Sequence, residues 1–124
     1  MSVLRLFTTA ETKTRPDHPE PELRGRRYAV PFARVWEAVL FLLRGGISGW
    51  RLTHADEDAG EATGEVASPL TRQPHEVAVH IWLDPDGQTC LHVRCCKPTA
   101  RRDLGASRRH VVAFLRSLDR RLGV

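Results

Sequence analysis

Lysine is nearly missing from this chain, and long apolar runs, pairable cysteines and phosphate-cradling glycine loops are missing altogether. Only Lys13 and Lys97 are lysines, against seventeen arginines. That skew follows GC-rich coding more readily than phosphate binding, and a net charge of +4 is a weak electrostatic signal, so nucleic acid is not the expected partner. The longest apolar run is Ala38 to Leu43, far short of the roughly 18 residues that span a membrane as a helix. Three cysteines, Cys90, Cys95 and Cys96, are an odd number with two adjacent, which makes a poor disulfide framework and points to thiols in a reducing compartment. Met1 to Phe7 is apolar but broken by Arg5, with no small-residue cleavage site after it, so no secretory signal is read and the expected address is the cytoplasm. No Gly-x-Ser-x-Gly turn and no two-cysteine metal spacing occur, so neither nucleophilic catalysis nor a structural zinc site has a motif to stand on.

What is present reads as one small domain. The 124 residues suit a single core, with 41% apolar and 27% charged residues. Residues 1–25 form a polar, extended N-terminal arm carrying Pro16, Pro19 and Pro21, a density that excludes a helix or a central strand. Residues 26–124 form the domain. Arg26 to Val30 is open as a short extra strand. From Phe32 to Arg44, Phe32, Val35, Trp36, Val39 and Leu43 recur at helical spacing, with Pro31 as a first-turn helix residue, and Gly45-Gly46 ends the run.

Four strands follow. Trp50–Ala55 and Glu61–Ser68 flank a polar turn. Glu76–Leu83 alternates Val77, Val79, Ile81 and Leu83 with Ala78, His80 and Trp82, and Gln88–Cys96 alternates with Leu91, Val93 and Cys95 inward. The last helix carries the stripe Val111, Phe114, Leu115, Leu118 and Leu122, with Asp103 as its expected N-cap. Strands grouped between helices predict an α+β fold: a four-stranded antiparallel meander with two helices packed on one face.

Several stretches together resemble a known family. They are Asp17-His18-Pro19 with Leu23-Arg24, Val35-Trp36-Glu37-Ala38, Gly49-Trp50-Arg51, and Val93-Arg94 with Asp103-Leu104-Gly105. In this order and spacing they are similar to domain of unknown function 1499, over about Pro16 to Leu122. The resemblance implies a bacterial protein of the same fold and carries no catalytic mechanism. Between Arg94 and Asp103 this chain departs from the family's pattern, with Cys95-Cys96-Lys97-Pro98-Thr99-Ala100 where serines, arginine and glycine are usual.

The candidate site lies on the outer face of the last two strands. With Pro85-Asp86-Gly87 as a three-residue hairpin loop, Trp82 falls opposite Cys90, His80 opposite His92, and Ala78 opposite Arg94. His80, Trp82, His92 and Arg94 mix aromatic, titratable and cationic groups that suit a small ligand or a partner surface. The competing structural account is that the proline-rich arm covers Trp82. His80, His92 and Cys90 are an alternative, metal-binding reading, short of the four positions zinc fills. Arg101 and Arg102, with Arg108 and Arg109, offer a further anion or nucleic-acid site at the start of the last helix, against the plainer account of a solvated face. The expectation is a small soluble binding or interaction domain with no cofactor and no evident catalytic mechanism. Its ligand or protein partner is not named by the residues.

Overall fold

The structure, a computed structural model, describes residues 11–15, 18, 23–67, 74–96 and 105–124. Its strands are β1 (Glu11–Lys13), β2 (Arg26–Tyr28), β3 (Trp50–Asp56), β4 (Glu61–Val66), β5 (His75–Leu83) and β6 (Thr89–Cys96). Helix α1 is Phe32–Phe41 and helix α2 is Ala106–Leu122. The fold is α+β, and every strand pairing is antiparallel.

The four long strands form the expected meander. The sheet runs β1-β6-β5-β4-β3, and β2 also pairs β6. The two short strands therefore share the outer edge of β6: β1 lies along Cys96 to Arg94, and β2 along Leu91 to Thr89. Between them Thr14 continues the edge, donating its backbone N–H to the Val93 carbonyl at 2.8 Å. A three-residue strand of polar residues has no visible alternation, and its pairing is set by the open edge of β6.

Alternation decides the faces. Val77, Val79, Ile81, Leu91, Val93 and Cys95 are buried and join Val111, Phe114, Leu115 and Leu118 of α2 and Val35 and Val39 of α1 in one core. Leu83 departs from the inward reading: it stands at the hairpin end of β5 and is 55% exposed. Its place in the core is taken by Thr89, its register partner, whose hydroxyl donates to the Val30 carbonyl at 2.6 Å. β5 starts at His75, one residue earlier than expected, and that imidazole is buried edge-on against His110 with ring centroids 4.8 Å apart.

Pro31 sits just before α1, not in its first turn, and its carbonyl accepts from Arg34 and Val35. α1 opens into a wider turn over Leu42–Gly46, where the Ile47 N–H reaches back to the Leu42 carbonyl. α2 is anchored to β2 through Asp119, which accepts from the Tyr28 hydroxyl at 2.7 Å and from Arg26 Nε at 3.2 Å. Burial first, then the carboxylate beside it, pushes the Tyr28 phenol well above its ordinary range. The expected N-cap, Asp103, and the prolines Pro16, Pro19 and Pro21 lie outside the described residues.

Candidate functional site

The β5–β6 hairpin fixes the geometry of the outer face. Asp84 N–H donates to the Gln88 carbonyl, Gly87 N–H donates to the Asp84 carbonyl, and Gly87 takes the left-handed conformation at φ 81°. The Asp84 carboxylate also accepts from the Asp86 and Gln88 amides, both at 2.9 Å. This loop sets the register Ala78↔Arg94, His80↔His92 and Trp82↔Cys90. Two more strands extend the rows: β1 brings Lys13 opposite Arg94, and β4 brings Glu61 opposite His80 and Thr63 opposite Ala78.

The result is a shallow concavity of about 430 Å³ on the outer face. Lys13, His80, His92 and Arg94 supply its nitrogen groups, Glu61 its one carboxylate, and Ala78 with Thr63 its floor. The small alanine opposite Arg94 is what leaves the space. Lys13, Glu61 and Thr63 are members that period-2 reading of β5 and β6 does not reach, because they arrive from other strands; no sequence signal singles them out.

The electrostatics of this concavity are positive. His92 is held below its usual pKa, first by burial and then by the charges of Lys13, His80 and Arg94. Thr14 orders the same ring. Its hydroxyl oxygen accepts the Val93 N–H at 2.9 Å and lies 3.0 Å from His92 Nδ1. The hydroxyl can give its proton to Nδ1 or, through its second lone pair, accept one from it, and either bond holds the ring in place. Thr14→Val keeps the shape and removes both bonds, stranding the buried Val93 N–H. The expected result is a loss of about 1–3 kcal/mol of stability and faster exchange of the Val93 amide. Unchanged unfolding and unchanged exchange would remove this role from Thr14.

Trp82 stands one step further along β5, 40% exposed, stacked with His80 at 5.0 Å between ring centroids. Its register partner Cys90 is buried, and Arg27 of β2 lies opposite Cys90. Arg27 is engaged by Asp84 at 2.5 Å and Asp86 at 3.4 Å. Burial pushes the Asp84 carboxyl up, but the Gln88 amide and the Arg27 guanidinium outweigh it, and its pKa ends below the usual value. Burial, then Asp84, pushes the Cys90 thiol up, so it is a poor nucleophile and a poor metal ligand at neutral pH.

The metal reading finds little support in this geometry. Among the described residues no three ligating groups converge. Glu61, His80 and His92 form a straight cross-strand row whose ends are about 10 Å apart. Cys90 belongs to the next row and is engaged with Asp84, 3.8 Å from its sulfur. Arg101 and Arg102 lie outside the described residues, so the site read at the start of the last helix has no geometry here. Of its other members, Arg109 is exposed, and the neighbouring His110 turns inward towards Trp50. Among the described residues no helix is long and apolar enough to cross a membrane.

No protein-family model matches the chain, and no curated protein matches it. Among solved structures, it is similar to the crystal structure of CalU16 from Micromonospora echinospora, with a TM-score of 0.49 and 13% identity, over 89% of this chain and 83% of that one.

Proposed function

We propose that this domain binds a small anionic molecule, a phosphate or carboxylate bearer, in the concavity of the outer sheet face. The carrying observation is the direct opposition of Lys13 and Arg94, beside the opposed imidazoles His80 and His92. Two cations set opposite each other on neighbouring strands can share one bound anion, each donating to it. The resemblance to domain of unknown function 1499 belongs to this proposal and adds no chemistry to it. A cation would meet Lys13 and Arg94 before any ligand, which sets the metal reading second.

Sulfate and inorganic phosphate are the probes. Sulfate keeps its charge near neutral pH, so any pH dependence belongs to the protein. Titration followed by His80 and His92 ring resonances is expected to show saturable shifts. Arg94→Ala should weaken binding roughly tenfold or more, the equivalent of about 1.5–3 kcal/mol for a hydrogen bond to a charged group.

The sign of the pH effect follows from His92. In the unliganded protein its pKa is depressed, so the ring is neutral at pH 7. An anion favours the imidazolium and raises that pKa. Affinity for sulfate therefore increases as pH falls through the interval between the liganded and unliganded values, and His92→Gln flattens the rise. Absence of binding by either anion, or equal binding by Arg94→Ala with the fold intact, removes the proposal.

A further inference from the structure

The anion-binding reading deepens when the concavity is followed along β5. Charge is distributed unevenly on this face. Lys13 and Arg94 lie at one end, the two imidazoles in the middle, and Trp82 at the far end. On the row of Trp82 and Cys90 the cation is Arg27, which pairs with Asp84 and Asp86. The positive end and the aromatic end are thus separate, with the His80–His92 row between them.

Trp82 is the one Phe, Tyr or Trp on this face among the described residues. An indole of this exposure at the end of a sheet loses nothing by being covered and gains by it. His80 stacks on the ring and fixes its plane next to the anion site. From the Ala78–Arg94 row to Trp82 is four residues along β5, roughly 13 Å, and from the His80–His92 row about half that. A small molecule with an acidic group at one end and a flat ring at the other spans the shorter of these intervals.

Resting on the anion-binding reading, we infer that the ligand also carries a planar aromatic ring, which lies on Trp82 while its acidic group sits among Lys13, His92 and Arg94. The chemical class is a ring-bearing phosphate or carboxylate of nucleotide size. One aromatic side chain serves one ring. Single-stranded nucleic acid, read by successive stacked bases, uses more than one platform and a longer cationic track.

The test compares inorganic phosphate, ribose phosphate, adenosine monophosphate and adenosine by calorimetry on the full chain. Adenosine monophosphate is expected to bind about tenfold more tightly than ribose phosphate, the usual effect of one stacked base. Trp82→Ala should abolish that difference, bringing adenosine monophosphate down to the affinity of ribose phosphate, and Trp82→Phe should keep part of it. Because Trp82 is exposed, neither variant should lose the fold. Equal binding of adenosine monophosphate and ribose phosphate, both weakened by Arg94→Ala, would overturn the ring and leave the anion site standing. Binding of none of the phosphates would overturn both. Much tighter binding of a short oligothymidylate than of the monophosphate would replace the small ligand with a single strand.

Discussion

Gly60→Ala is expected to destabilise the domain by about 3–5 kcal/mol, while Gly87→Ala in the neighbouring hairpin loses about 1 kcal/mol. Both glycines have positive φ, 69° and 81°, so both variants carry the left-handed strain of a residue with a Cβ. The difference lies in what that Cβ meets. At Gly87 nothing stands within 4 Å. At Gly60 it would collide with the Ile81 carbonyl oxygen. Gly60 is buried where the turn after β3 enters β4, and its carbonyl accepts the Ile81 N–H at 2.8 Å. The clash therefore pushes apart two central strands and loosens a ladder bond, adding overpacking of about 1–3 kcal/mol and a weakened hydrogen bond to the strain. Urea unfolding of the two variants side by side measures the gap. Equal losses would mean that β4 and β5 can shift to admit a methyl group.

Phe114→Ala should remove a similar amount, about 3–5 kcal/mol, by opening a cavity beneath the sheet. Phe114 is fully buried in α2 and stacks on Trp50 at 5.6 Å, and Trp50 in turn meets His110 edge-on at 6.2 Å. Deleting the ring leaves Trp50 without the surface that orients it, so near-ultraviolet circular dichroism should weaken together with the unfolding midpoint. Against a typical total of about 5–15 kcal/mol, a loss of this size brings the domain close to unfolding at ambient temperature. Phe41→Ala is the contrast. Its ring is 46% exposed under the Arg121 guanidinium, 3.5 Å from the ring centre, and removing it should alter stability by less than about 1 kcal/mol. A Phe114 variant as stable as the Phe41 variant would show that α2 can slide to fill the space.

These contrasts mark where sequence reasoning succeeds and where it stops. The β5–β6 hairpin was legible down to its register, because a Pro-Asp-Gly loop leaves few ways to pair two alternating strands and a slip of one residue would expose Val77, Val79 and Val93. The stripes of α1 and α2 were legible for the same reason: their apolar residues match one period. β1 was not. Glu11, Thr12 and Lys13 show no hydrophobic alternation, and their place follows from an edge supplied about eighty residues later. Half of the candidate site followed that distinction. His80, Trp82, His92 and Arg94 could be set side by side from the hairpin alone, whereas Lys13, Thr14 and Glu61 reach it through pairings that no local pattern encodes. The contact between buried His75 and half-buried His110 escaped for a related reason, since neither a histidine at a strand's start nor one within a helix gives a sign of the partner it turns to.

One wall of the concavity is Lys13, and Lys13 stands on a strand of three residues. Detaching so short a strand, with Thr14 beside it, leaves the helices and the meander in place, so the opening is local to this edge of the sheet. On the anion-binding proposal, an anion gripped by Lys13 and Arg94 would act on that opening as a clasp. Occupancy and docking of β1 would then share a single equilibrium, each favouring the other by the same factor.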